Sequence, residues 1–224
     1  MKRLAAYIPL ILLMSFMPMD KKPLRYIALG DSYTICTGTN NSKEQWPNIL
    51  ADHLSKAGIP VATVSNPSRN GYSTQNLIDH ELPLLKNGNY DFATLLIGVN
   101  DWVREVDSKT YHKHLNIIID EVQKHLPNKS HLILITIPDF GVTPQGVLYG
   151  GERDISKGIS EFNSIIKAEA KKRNLVCIDI FSLSRDMQNH KDLIATDGLH
   201  PSAKEYALWE AMIYPEVQRL LSGK

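Results

Sequence analysis

The chain has 224 residues, 43% of them hydrophobic and 22% charged, which suits one globular domain with a substantial core. Its 25 basic and 24 acidic residues leave a net charge of +1, so there is no basic excess for nucleic acid and no charged tail. No internal repeat and no low-complexity segment is present.

In chain order, the first feature is a basic start, Lys2 and Arg3, followed by a mostly apolar run over residues 4–17 and then Asp20, Lys21 and Lys22. That pattern fits a secretory signal peptide. A spanning helix usually needs about 20 apolar residues, so a permanent anchor here would be short. No small-x-small cleavage site is clear, and a buried amphipathic N-terminal helix is the alternative. Residues 1–22 are therefore expected to be a signal peptide or short N-terminal anchor. The expected location is outside the cytoplasm, periplasmic or secreted, with transient membrane association through the N-terminus.

Residues 25–29 form a short, largely apolar run closed by Gly30, the signature of a buried strand ending in a tight turn. Asp31 and Ser32 follow at once. A serine here is either a nucleophile facing a cleft or a helix cap. After a polar loop, Trp46, Ile49, Leu50, Leu54 and Ala57 fall at helical spacings, predicting a helix over 45–57 closed by Gly58. Pro47 fits only in its first turn. A β-branched strand over 61–64, a loop over 65–71 and a helix over 74–85 come next. Residues 92–97 are a third strand, apolar on both faces and closed by Gly98. The loop 99–107 is charged and contains Trp102. Ser108 is the expected cap of a long helix to about residue 125, with Tyr111, Leu115, Ile118, Ile119 and Val122 inward. Then come strand four (131–137), a loop rich in glycine and proline (138–151), a helix (155–173) and strand five (175–180). Residues 181–199 read as mostly irregular, and 202–221 as the last helix.

Strand and helix thus alternate five times. Strands three and four lack polar alternation, so both their faces must be covered. That predicts a three-layer α/β/α fold around a parallel sheet. Five strands favour the flavodoxin-like order 2-1-3-4-5, with the binding crevice outside the carboxyl ends of the strands. At that edge the sequence gathers Ser32 after strand one, and Asn70 and Gly71 after strand two. Gly98, Asn100 and Asp101 follow strand three, Pro138 and Asp139 strand four, and Asp197 and His200 strand five.

A serine hydroxyl is a weak nucleophile until a base takes its proton. His200 is the natural base, and Asp197 could reach its other ring nitrogen if the chain turns tightly at Gly198. A loop histidine beside an Asp-Gly turn is the plainer reading. Acyl transfer also needs donors for an oxyanion. The Asn100 amide, the Gly71 N–H and the Ser32 N–H are candidates, and glycine allows close approach. Taken singly, each is an ordinary turn residue.

Gly30-Asp31-Ser32, Gly71, Gly98-Val99-Asn100-Asp101 and Asp197-Gly198-Leu199-His200-Pro201 together resemble the four blocks of the SGNH hydrolases, also called GDSL-type esterases and lipases. The resemblance runs over about residues 25–222, in order and spacing, and makes 23–224 an SGNH hydrolase domain. It implies Ser32 as nucleophile, His200 as base and Asp197 as its orienting acid. It also implies an oxyanion hole from Ser32, Gly71 and Asn100, on the flavodoxin-like sheet inferred above. Tyr33 stands where the family name has leucine, which bears on subfamily more than on catalysis. No Gly-x-Ser-x-Gly elbow surrounds Ser32, which weighs against an ordinary α/β-hydrolase.

The expected activity is cleavage of a small-molecule or lipid carboxylic ester through an acyl-enzyme, without metal or cofactor. Lysophospholipids, short-chain esters and acetylated sugars are all open. An acyltransferase using the same residues and a non-catalytic flavodoxin-like binding module are the rivals. His112 and His114, two apart on a helix, point in different directions and read as a solvated face, not a metal pair. The other histidines show no ligand spacing. Asp31 and Asp101 read as loop-ordering acceptors. Arg69, Trp102, Arg104, Phe140 and Tyr149 are candidates for lining the pocket, although surface position alone would also explain them. Cys36 and Cys177 read as small buried hydrophobes.

Overall fold

The computed structural model describes residues 22–223, so the expected leader lies outside the described residues apart from Lys22. The strands are β1 (Leu24–Gly30), β2 (Val61–Ser65), β3 (Phe92–Leu96), β4 (Leu132–Ile135) and β5 (Val176–Ile178). They pair in parallel in the order β2-β1-β3-β4-β5 that the pattern predicts. Every residue of β3 and β4 is buried, because helices cover both faces of the sheet there.

The helices are α1 (Ser32–Ile35), α2 (Trp46–Lys56), α3 (Thr74–His80), α4 (Leu85–Gly88), α5 (Val99–Val103), α6 (Ser108–His125), α7 (Ile155–Arg173), α8 (Phe181–Ser184) and α9 (Ala203–Ser222). α2 packs on α9, while α3, α6 and α7 pack in succession. Right-handed crossovers in this strand order put those two groups on opposite faces. Trp46, Leu50 and Leu54 of α2 meet Tyr206, Trp209, Ile213 and Val217 of α9 in one buried cluster. Across the sheet, Tyr26 and Phe92 are register partners whose rings stack at 4.4 Å. Such pairs add about 0.5–1.5 kcal/mol beyond area burial. The buried Tyr26 hydroxyl is satisfied by Thr94 Oγ1 at 2.7 Å.

Several boundaries differ from the sequence pattern. The helix expected over 74–85 stops at His80 and continues as a 3-10 turn, Leu82–Leu84, because Pro83 has no N–H to extend it. The expected loop after Gly98 begins with α5. Asp107, not Ser108, caps α6, its carboxylate accepting the Thr110 N–H at 2.9 Å. The last helix, expected from 202, begins at Ala203 with Ser202 as its cap. Among the described residues, no helix is long and apolar enough to cross a membrane.

Cys36 and Cys177 are both free. Cys36 follows β1 and Cys177 lies in β5, three strand steps away in the observed order. At about 4.8 Å per step that is roughly 14 Å, twice the ~7 Å reach of a disulfide. Alkylation of the denatured, non-reduced protein is expected to label both thiols, even after exposure to oxidising conditions. Detection of a Cys36–Cys177 bridge by mass spectrometry would contradict the strand order.

Candidate active site

The turn after β1 sets the site. Gly30 has φ +156°, and a Cβ there would lie 2.2 Å from Leu96 O and from Thr34 Oγ1, so only glycine fits. Asp31 caps α1, its Oδ1 accepting the Tyr33 N–H at 3.0 Å. The capping duty thus falls on Asp31, and Ser32 becomes the first helical residue. Its N–H is one of the helix's unpaired first donors.

His200 stands in the loop before α9. Asp197 Oδ1 accepts the N–H groups of Leu199 and His200, both at 2.9 Å, and Oδ2 hydrogen-bonds His200 Nδ1 at 2.6 Å. Burial raises the Asp197 carboxyl, but the bonds from the His200 ring and from the two N–H groups outweigh it. The carboxyl sits below its ordinary value. Gly198, at φ +71°, makes this tight return. The Gln145 N–H to Gly198 O bond and the Ala195 N–H to His200 O bond, 2.9 and 2.8 Å, brace the loop. The Tyr33 ring meets the His200 ring edge-on at 5.9 Å.

Ser32, Gly71, Asn100 and His200 line one cavity of about 210 Å³, together with apolar walls from Tyr33, Val103, Phe140 and Tyr149. No hydrogen bond joins Ser32 to His200 directly; both face the one cavity. Asn100 Nδ2 donates to Tyr72 O at 2.9 Å. An amide carries two hydrogens, so one remains for the cavity. Arg104 Nη2 holds Gly71 O at 2.7 Å, and Thr74 N–H donates to Asp101 Oδ2 at 2.9 Å. These three bonds stitch α5 to the Gly71 segment.

Of the five residues proposed as pocket walls, Phe140 and Tyr149 line this cavity. Trp102 backs the wall, edge-on to Phe140 at 5.9 Å and stacked under the Arg153 guanidinium at 4.1 Å. Arg104 serves Gly71 as above, and Arg69 lines a neighbouring depression. Arg153 went unnoticed in the sequence. Its Nη1 donates to Trp102 O at 2.8 Å and its Nη2 to Tyr149 O at 3.1 Å, which clasps α5 to the 3-10 turn Gly146–Tyr149. His112 pairs with Glu169 at 2.8 Å and His114 with Thr74 at 2.9 Å, so each faces a different neighbour.

Beneath the Ser32 turn sit two fully buried carboxyls. Glu81 Oε2 accepts the Gly30 N–H at 3.1 Å, while Glu81 Oε1 and Asp31 Oδ2 have no partner among the described residues. Burial is the main cause that pushes both groups up to about 8. The sequence had marked Asp31 as a loop-ordering acceptor and had not marked Glu81.

The family model for the GDSL-like lipase/acylhydrolase family matches residues 28–208. A multidomain esterase of Ruminococcus flavefaciens is 28% identical over 159 residues, 67% of this chain but only 19% of that protein. This chain therefore spans about a fifth of that relative's length. The psychrotrophic esterase of Pseudoalteromonas sp., inhibited by monoethylphosphonate, superposes with a TM-score of 0.67 at 20% identity, covering 88% of this chain and 98% of that one. A lipase/acylhydrolase from Enterococcus faecalis gives 0.66 at 22% identity over 87% and 95% of the two chains. An acetylxylan esterase from Geobacillus stearothermophilus gives 0.65 at 17% identity over 89% and 96%. At these identities the structural matches establish the shared fold.

The buried carboxyls predict a pH dependence of stability. In the unfolded chain Glu81 ionises near 4.5, whereas in the fold it keeps its proton to about 8. Between those values the unfolded state has released a proton that the folded state still holds, so stability falls as pH rises and levels off above pH 8. At 1.36 kcal/mol per unit, the loss by pH 7 is on the order of 3 kcal/mol. Glu81→Gln keeps an acceptor for Gly30 and removes this titration. Its Tm should decline less steeply than wild type between pH 5 and 8. Parallel Tm–pH curves would mean that Glu81 is ionised in the fold.

Proposed function

This chain belongs to the GDSL-like lipase/acylhydrolase family, and from that premise we propose that it is a serine esterase working through an acyl-enzyme on Ser32. One observation carries the reading: Ser32, Gly71, Asn100 and His200 line a single cavity, with Asp197 bonded to His200 Nδ1.

The chemistry follows from that geometry. Asp197 holds Nδ1–H and leaves Nε2 as the basic nitrogen. Nε2 takes the Ser32 proton as Oγ attacks the acyl carbon. The carbonyl oxygen becomes an oxyanion, which the Ser32 N–H, the Gly71 N–H and the Asn100 amide stabilise. As the tetrahedral species collapses, His200 gives its proton to the leaving alcohol. Water then attacks the acyl carbon as the same nitrogen takes its proton; the acyl–Oγ bond breaks, Nε2 returns the proton to Oγ, and the acid leaves.

The cavity, at about 210 Å³, is smaller than the ~300–1,000 Å³ of sites that enclose a drug-sized ligand. Its apolar walls suit an acyl group of short to medium length. The basic start and apolar run over residues 2–17 support work outside the cytoplasm.

Ser32→Ala is expected to abolish ester hydrolysis with the fold intact, and an organophosphonate should label wild type at Ser32 alone. A protein that resists the probe and turns over no ester would be a binding module. Asn100→Ala should lower kcat by roughly 10²–10³ with little change in KM, because its amide serves charge present only in the transition state. A rise in KM alone would make Asn100 a substrate-binding residue.

A further inference from the structure

An ester has an acyl half and an alcohol half, and the apolar cavity accounts for only the first. The second must lie on the side of His200, since that residue protonates the leaving oxygen. A polar depression shares Asn70 with the cavity, and the loop after α1 that helps to form it packs against His200 at Gly38. Thr37, Thr39, Gln45, Arg69 and Asn70 line it, and Asn70 lines the catalytic cavity too. Thr37 Oγ1 donates to Asn70 Oδ1, which ties the residue that both spaces share to the Thr37 loop.

The loop that forms this depression is seated against the histidine. A Cβ at Gly38 would come within 2.6 Å of Ala195 Cβ and 2.7 Å of Pro201 O, with His200 Cβ at 3.5 Å. The Tyr206 hydroxyl donates to Thr37 O at 3.0 Å and fixes the loop to α9. The depression is thus a fixed neighbour of the base.

Its one cation is uncommitted. Around the mouth, Arg104 is spent on Gly71 O and Asn76 Oδ1, and Arg153 on three carbonyls. Arg69 is exposed, and among the described residues its guanidinium has neither an ion pair nor a hydrogen bond. The carboxylate of Glu44, one residue from Gln45, is engaged by the Asn40 N–H and Asn41 Nδ2 at 2.8 and 2.9 Å. A guanidinium fork with no internal partner is matched to a planar or tetrahedral oxyanion.

Resting on the esterase reading above, we infer that this depression is the alcohol subsite and that Arg69 selects alcohols carrying an anionic group, carboxylate or phosphate. The substrate is then an ester with a short to medium apolar acyl chain and an anionic, hydrogen-bonding alcohol.

The test uses the full chain and three butyrate esters that share the acyl group: of glycerol, of glycerol 3-phosphate and of glycolate. An anionic ester should exceed the neutral one about tenfold in kcat/KM, mostly through KM, and the preference should shrink as salt screens it. Whichever anion is preferred identifies the group. Arg69→Gln should bring the anionic-to-neutral ratio to near one, and Arg69→Lys should retain part of it. A wild-type ratio near one, or a ratio that Arg69→Gln leaves unchanged, overturns the subsite. Turnover that persists in Ser32→Ala overturns the esterase reading itself, and so separates the two failures.

Discussion

Position 30 has no room for a side chain, and the rest of the site is built outward from that fact. With Leu96 O and Thr34 Oγ1 both 2.2 Å from a would-be Cβ, β1 can turn off the sheet directly over β3 only at glycine. The turn delivers Asp31 as cap and Ser32 as first helical residue. The segment after β2 is then tied to β1 and to α1. Asn66 Nδ2 donates to Thr34 O at 2.8 Å, and Ser68 Oγ to Ala28 O at 3.4 Å. Gly71 follows three residues later, and Asn100 closes the ring through Tyr72 O. The Gly71 segment is therefore held by β1, α1 and α5 as well as by its own loop.

This arrangement sets function against stability. Asp31, Glu81 and Asp101 are buried acids near the catalytic edge, and burial raises all three carboxyls. Asp101 is partly compensated by Thr74, whose N–H and hydroxyl both donate to it. Asp31 and Glu81 each keep one oxygen without a partner among the described residues. A neutral carboxyl still accepts the Gly30 or Tyr33 N–H and avoids the larger penalty of a buried charge. Deep polar groups here hold a turn that hydrophobic packing alone would not hold.

Much of this was legible in the sequence because it follows from local pattern. The unbroken apolar runs of β3 and β4 gave the parallel sheet, and that sheet by itself predicted which polar residues share an edge. The misread pieces are those decided by one residue's competition with a neighbour. Asp107 outcompetes Ser108 as cap, and Pro83 cuts a periodic helix without disturbing its apolar spacing. α5 was hidden because a five-residue helix is too short to show a period. Arg153 and Glu81 carry no local signal at all. Their partners lie about 50 residues away, and only the fold brings Arg153 over Trp102 and Glu81 under Gly30.

A histidine on an irregular loop needs restraint from more than one neighbouring carboxylate to keep one position, since loops are the mobile part of most folds. Here the restraint comes from position 33. The Tyr33 ring contacts His200 on one side and Trp209 on the other, each edge-on at 5.9 Å, and Trp209 meets Tyr206 at 5.1 Å. The Trp46 indole N–H donates to Tyr33 O at 3.0 Å, so the residue is anchored through its backbone as well. An aromatic ring thus spans from the imidazole to the α2–α9 core. A leucine could fill part of the space but could offer no ring edge to both neighbours. Tyr33 thus links the His200 ring to the buried α2–α9 core.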